Sequence, residues 1–408
     1  MFSNENMTNI EIAGNRGDGV RSDCFVSLQR TKSKENVITL SSKVKTLYGD
    51  DIMHLCRDML AFYGITHALL EIEDRGALPF VLAARMEAVI RRQIKTDREY
   101  LLPVLPQNIY TTARDAERVS RLYLPGNNPK LMINAGIYGC HGIILDLEDS
   151  VAPDRKYEAR FLVRNALRQV NFYGAERMVR INQLPAGLED LKFIVPHPVN
   201  LILLPKCESA KQVTEVDQAI AKILGHENTT IHLMPIIESA AGVLNSAEIA
   251  GASQNVVAMA IGLEDYTADI GVQRTPEGRE SFFARCMVVN AARGAGIQPI
   301  DSVFSDIDDM EALARNVKES KSLGFTGMGC IHPRQAPVIH KNYLPDDVEI
   351  TKAQRIVLAF EKAEKEGLGV VAVESKMIDP PVVKRSLRII REAEQAKLIT
   401  KQWRENHA

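Results

Sequence analysis

Glu238 and Asp265 each follow an apolar run, IHLMPII and VVAMAIGL, and stand 27 residues apart, about one strand–helix unit. Two carboxylates so spaced suit a hard cation such as Mg2+, which takes a few carboxylates and completes its shell with water and ligand oxygens. The same groups would equally cap the helices that follow. Glu264, beside Asp265, leaves the register open, because alternation turns one of the two away from a shared site. Arg180 ends the run ERMVR and offers a planar fork for a carboxylate or carbonyl, although an arginine pointing into solvent would also be stable there. Asp146, Glu148 and Asp149 crowd the end of another run, at a cost in stability unless a cation or base neutralises them; any one of them could instead be a helix N-cap. Lys206 closes LILLPK. It either pairs these charges or, with a depressed pKa, forms a Schiff base with a ketone.

Such residues need a frame that brings distant strand ends together. Eight apolar runs recur, each followed by a helical pattern: VSRLYLPG, GIILDLEDS, ERMVRIN, NLILLPK, IHLMPIIES, VVAMAIGLED, QPIDSVF and GFTGMGCIHP. Near-continuous apolar strands alternating with helices describe a parallel sheet covered on both faces. Eight units in little more than 200 residues predict a closed (β/α)8 TIM barrel of the α/β class, whose strand C-termini converge on one face. Polar residues gather at those ends, including Asn182, Asp301 and His332. The chain of 408 residues exceeds one barrel, and its composition breaks near 95–118. The expected layout is a small α+β domain over 1–98, a linker over 99–118, the barrel over 119–345 and a C-terminal helical extension over 346–408.

The bulk composition excludes other classes. A net charge of −2 and 25% charged residues give no electrostatic case for nucleic acid or an anionic membrane. No run is long and apolar enough for a spanning helix, and the N-terminus has no secretory pattern. Six scattered cysteines with no CxxC pair read as reduced thiols in a cytoplasmic protein.

LYLPGNNP, ILDLEDSVAPDRK, VRIN, LPKCESA, PIIESAAGVLN, AIGLEDYTADIG, IDSVFSD, CIHPRQ and SKMIDPPVV occur in this order, and from about Val119 to Arg388 the chain resembles citrate lyase beta subunits. Malyl-CoA and citramalyl-CoA lyases share the pattern. The resemblance implies Mg2+ on Glu238 and Asp265, and cleavage of a citryl thioester to oxaloacetate and an acetyl thioester. It implies a catalytic set of Arg180, Glu148, Asp149 and Asp379, with Arg180 on the oxo acid. Asp379 would reach the active site of a neighbouring subunit as a proton-transfer group, so the extension completes that site in a homo-oligomer, a trimer or hexamer. Pro125, Gly126, Asn127, Asn182, Lys156 and Lys206 are implied to face substrate or thioester; Lys156 would also balance the nearby carboxylates, and Lys206 takes the charge-pairing role. One departure is that Val119-Ser120 stands where relatives carry Arg-Ser. His332 is as easily a structural histidine as a catalytic one.

IEIAGNRGDGVRSDCFVSL and IEDRGALPFVLAARMEAVIRR resemble the citrate lyase acyl carrier (gamma) subunit. That resemblance makes Ser22 the attachment point for a phosphoribosyl-dephospho-CoA type group and other citrate lyase subunits the further partners. Here Ser22 abuts Asp23, and Arg21 holds the register in which such carriers place the serine. Two alternatives stand beside this expectation. One is a malyl-CoA or citramalyl-CoA type lyase acting on free thioesters with a vestigial carrier domain; the other is a non-catalytic subunit or scaffold.

Overall fold

The computed structural model describes residues 9–32, 35–365, 367, 370–373 and 376–404. The ends of the expected first and last segments, 1–8 and 405–408, and Ser375 of the SKMIDPPVV motif lie outside the described residues. Among the described residues no helix is long and apolar enough to cross a membrane, and all six cysteines are free.

The first domain runs β1 (Ile10–Gly14), β2 (Cys24–Arg30), β3 (Val37–Ser42), α1 (Lys45–Phe62), β4 (Ala68–Asp74) and α2 (Pro79–Gln93). Its sheet has the order β1-β2-β4-β3, with only β3 and β4 parallel. Alternation in β4, ALLEIED, sends Leu70 and Ile72 into the core and Leu69 and Glu71 outward, the two-residue period of a sheet with one covered face.

The barrel strands are β5 (Ser120–Pro125), β6 (Gly142–Asp146), β7 (Glu176–Arg180), β8 (Leu201–Leu204), β9 (His232–Ile237), β10 (Ala258–Ile261), β11 (Gln298–Asp301) and β12 (Gly327–Cys330). All pair in parallel, and β12 closes on β5 through Met328 opposite Ser120. These are the eight expected runs. Between them lie α3 (Pro129–Met132), α4 (Lys156–Gln169), α5 (Gly187–Ile194), α6 (Ala210–Leu224), α7 (Ala240–Leu244), α8 (Ser246–Ala250), α9 (Leu263–Asp269), α10 (Arg279–Gly294) and α11 (Met310–Leu323), followed after β12 by α12 (Gln335–Tyr343). Ile144, Met178, Leu203, Met234 and Ile236 fill the barrel interior, and the larger core lies between strands and helices. The extension is a helix pair, α13 (Asp347–Lys365) and α14 (Pro380–Gln395), with a short ribbon of β13 (Val371–Val373) and β14 (Lys376–Ile378) between them.

Residues 95–118 are no loose tether. Asn108 is buried and its amide donates to the carbonyls of Leu167 and Val170 at 3.0 and 2.7 Å. Tyr110 Oη donates to the Ala175 carbonyl, and Arg118 grips Glu176. Composition alone suggested a linker; long-range bonds to α4 and β7 make it a strap across the N-terminal end of the barrel.

The small domain is fastened as firmly. Helix α2 is buried from Phe80 through Ile90, as befits a helix covered on opposite sides, here by its own sheet and by α4. Arg85 is fully buried. Its Nε and Nη2 donate to the Asp23 carboxylate at 3.1 and 3.0 Å, and its Nη1 lies 3.4 Å from Glu158. Arg164 on α4 reaches back to Glu87 on α2 at 2.6 Å. Replacing such pairs wholesale by apolar groups can be harmless, but removing one partner strands a buried charge.

Candidate active site

The strand C-termini open into a cavity of about 400 Å3. It forms where the barrel interior turns from apolar to charged. Arg180, at the last position of β7, donates to both oxygens of Asp146 at 2.6 and 2.8 Å, and its Nη1 lies 2.9 Å from Glu148. Asp146 in turn accepts the backbone N–H groups of Glu148 and Ser150. Burial works against the Asp146 charge, but the Arg180 bonds outweigh it and hold the carboxyl below its ordinary pKa. The fork of Arg180 is therefore aimed by the loop after β6.

Glu238 follows β9 directly and is buried; its Oε2 accepts the backbone N–H of Lys206 at 2.9 Å. Burial first, and the nearby carboxylates of Asp265 and Glu148 after it, push the Glu238 carboxyl up to about 7. Glu148 is raised in the same way by burial. The Lys206 ammonium stands 3.4 Å from Asp265 and 3.7 Å from Glu148, with its backbone in the left-handed region at φ 47°. Burial opposes the Lys206 charge, but Asp149, Glu148 and Asp265 outweigh it and keep the ammonium above its ordinary pKa, the reverse of a Schiff-base lysine.

Asp265 was expected at a strand end. It lies instead in the first turn of α9, after β10 stops at Ile261. The helix also settles the register: Glu264 is drawn off by Arg274 at 2.8 Å, while Asp265 turns to Lys206. Asp146, Glu148, Asp149, Glu238 and Asp265 thus outnumber the cations that reach into their midst, Arg180 and Lys206. Among the described residues no three His, Cys, Asp or Glu side chains form a metal cage. The donor set that fits a metal is therefore two carboxylates with the remaining positions open, which suits a divalent oxygen-seeking ion.

The other expected residues divide. Lys156 spends its ammonium on the carbonyls of Leu147 and Glu148 at 3.0 and 2.8 Å and on Asn182 Oδ1. Asn182 donates to Asp190. Both brace the β6 and β7 loops and are placed as supports for the site. Gly126 packs on the end of β6: its N–H donates to the Asp146 carbonyl at 2.7 Å, where a Cβ would come within 2.5 Å of the same oxygen. Asn127 offers its carbonyl to Arg85 at 3.1 Å, the same guanidinium that holds Asp23. Ser22 is half-buried with φ 57°. Asp379 caps α14, its carboxylate accepting Val382 N–H at 3.3 Å; it is not among the residues lining this chain's own cavity. His332 Nδ1 accepts Arg334 N–H and also lies outside the lining. Sequence reasoning passed over Tyr123, Ser302 and Arg121, all lining the cavity; the two-residue period of β5 is the signal that turns Arg121 and Tyr123 inward together.

The profile of the family described as HpcH/HpaI aldolase/citrate lyase matches residues 119–333, and that of the malonate decarboxylase delta subunit, an acyl carrier, matches 15–93. The citrate lyase subunit beta of Leuconostoc mesenteroides subsp. cremoris is 40% identical over 69% of this chain and 96% of that protein. The L-malyl-CoA/beta-methylmalyl-CoA lyase of Rhodobacter capsulatus is 32% identical over 68% and 95%. Among solved structures, the protein CitE of Mycobacterium tuberculosis in complex with magnesium, acetoacetate and coenzyme A superposes with a TM-score of 0.59 at 30% identity, over 69% of this chain and 99% of that one. With more than half of its residues under the first profile, a charged barrel mouth and a carrier-like domain ahead of it, the chain belongs to the HpcH/HpaI aldolase/citrate lyase family.

Proposed function

We propose that the protein is a Mg2+-dependent carbon–carbon lyase that cleaves a citryl thioester to oxaloacetate and an acetyl thioester. The observation that carries this reading is the convergence of Glu238, Asp265 and Arg180 on one cavity mouth, in a chain 40% identical to a citrate lyase subunit beta. Glu238 and Asp265 would hold the ion, which when bound polarises the hydroxyl and carboxylate oxygens of the substrate.

The chain's own residues do the rest. Arg180, pinned by Asp146, presents its guanidinium to the oxo acid as it forms and steadies the enolate charge that develops on the departing acetyl thioester, and costs no reorganisation then. Lys206 and Glu148 set the local field. The substrate hydroxyl gives its proton to a carboxylate of the mouth, Glu148 or Asp149, as the bond breaks; the acetyl fragment leaves as an enolate, and Asp379 of a neighbouring subunit is the proposed acid that protonates it, in a homotrimer or hexamer. Phe282 and Phe283, exposed on α10, are apolar surface of the kind an assembly covers.

Ser22, next to the Asp23 that shares Arg85 with the Asn127 carbonyl, is the proposed attachment point for a phosphoribosyl-dephospho-CoA type arm, charged by other citrate lyase subunits. A second reading, free malyl-CoA or citramalyl-CoA as substrate, is favoured by one observation: Ser22 occupies a left-handed turn position next to Asp23, one place out of carrier register. The test is a substrate panel with Mg2+ together with intact-mass measurement of protein from its native host. Citryl thioester cleavage supports the reading, and a mass increment on Ser22 supports the arm. Failure to cleave any citryl or malyl thioester favours a scaffold.

A further inference from the structure

Arg121 is buried to 1% exposure on β5, and its side chain lines the floor of the cavity. Among the described residues each other buried arginine meets an oxygen. Arg85 has Asp23 and Glu158, Arg118 has Glu176, Arg164 has Glu87 and Glu99, and Arg285 has Asp301 and Glu319. Arg177 has the carbonyls of Pro198 and Tyr110. Arg121 has no such oxygen. Its Nη1 lies 2.9 Å from the sulfur of Met234, a weak acceptor, and its Nε has no hydrogen-bond partner. The groups acting most on its charge are Tyr123, Cys330, Tyr343 and Arg118, none of them a carboxylate.

The barrel makes room for this cation. Its neighbours across the two adjoining strands are Gly142 and Gly329, and a Cβ at Gly142 would press to 3.3 Å on the Arg121 stem. Ala258 and Ala260 face the same interior. A buried guanidinium without an anion is costly, because its desolvation is not repaid by a partner. In a close-packed interior such a group is retained where a ligand supplies the missing partner.

We infer that Arg121 is an anion anchor at the cavity floor, and that it takes the second carboxylate of a short 2-oxo dicarboxylate whose first carboxylate and carbonyl lie at Arg180 and the metal end. This rests on the lyase reading above and sharpens it. A cavity with cations at both ends selects a dicarboxylate over a monocarboxylate oxo acid, because a one-headed acid leaves the floor guanidinium unpaired.

The test is calorimetric binding of oxaloacetate and of pyruvate, each with Mg2+, to the full-length protein and to Arg121→Met and Arg121→Lys. Wild type should bind oxaloacetate at least tenfold more tightly than pyruvate. Arg121→Met should weaken oxaloacetate by about 10- to 100-fold, the loss of one charge-assisted bidentate contact, and leave pyruvate within threefold. Without ligand, Arg121→Met should melt at or above the wild-type temperature, because it removes an unpaired buried charge. Arg121→Lys keeps the cation and should hold a residual preference of at least threefold, which serves if the methionine variant does not fold. Equal weakening of both acids, an unchanged ratio, or a lowered melting temperature would overturn the anchor while leaving the lyase reading intact. Wild-type protein that binds neither acid overturns both.

Discussion

Gly262 leaves the space that the Glu238 carboxyl occupies: a Cβ at residue 262 would stand 2.5 Å from Glu238 Oε1 and 2.6 Å from its Cγ. The glycine is the N-cap of α9, just after β10, so the turn that leads into the helix bearing Asp265 also sets how close Glu238 can come. Gly262→Ala should displace the Glu238 carboxylate and weaken Mg2+ binding at least tenfold, with far-ultraviolet circular dichroism unchanged. Magnesium titration by calorimetry checks this; unaltered affinity would remove Glu238 from the proposed donor pair.

Asp379 performs a structural task, capping α14 at Val382, whatever else it does. Asparagine caps as well as aspartate, so Asp379→Asn preserves the helix and isolates proton transfer. Turnover should fall by about 10²- to 10⁴-fold with oxaloacetate affinity unchanged. Mixing this variant with Glu238→Gln chains should restore part of the activity, since shared oligomers would then contain intact sites. A variant with near-normal turnover rules out the acid role.

Arg85 joins the small domain to the barrel rim through Asp23, Glu158 and the Asn127 carbonyl. Arg85→Met leaves the buried Asp23 without its cation and Glu158 with Arg155 alone, at a cost of about 3–5 kcal/mol. The expected outcome is a separate, earlier melting transition for residues 10–93 and faster proteolysis near residue 95. A single unshifted transition would show that apolar contacts along α2 suffice.

His197 reports on acid stability away from the site. Arg168 Nη1 donates to its Nδ1 at 3.1 Å, and burial first, then Arg164 and Arg168, bring its pKa down to about 3. Unfolded, the ring titrates near about 6.5. Its folded value is depressed, so the unfolded state binds the extra proton between those limits. Stability is full above about pH 6.5 and is lost as pH falls toward 3, at about 1.4 kcal/mol per pH unit for the one proton. His197→Gln should flatten the pH dependence of urea midpoints in that window. An identical slope would mean that the ring is protonated in the native protein.

Much of this was legible beforehand because it is written in local patterns. Eight buried runs with polar ends specify a parallel barrel, and Arg180 and Glu238 sit at two of those ends, with Asp265 one helical turn beyond a third. What escaped depends on partners far apart in the chain. Lys156 reads as a counter-charge to the nearby carboxylates until Asn182 and two carbonyls are placed around it, and residues 95–118 look slack until Asn108 finds α4. Arg121 reads as one basic residue among several near the start of β5; only closure of the barrel shows that, among the described residues, it alone of the buried arginines meets no oxygen. The pairing of Glu264 with Arg274, which frees Asp265, likewise requires knowing that α9 begins at Leu263.

The fastening of the small domain by Arg85 and Arg164 carries a kinetic consequence. A carrier on a mobile tether shares its cargo among many catalytic sites, and its delivery rate depends on how often they meet. A carrier domain fixed at the rim of a barrel serves that mouth alone, at an effective concentration set by geometry and independent of dilution. Any group borne on the Ser22 turn would then be processed at first order, and the slow step would pass from encounter to reloading.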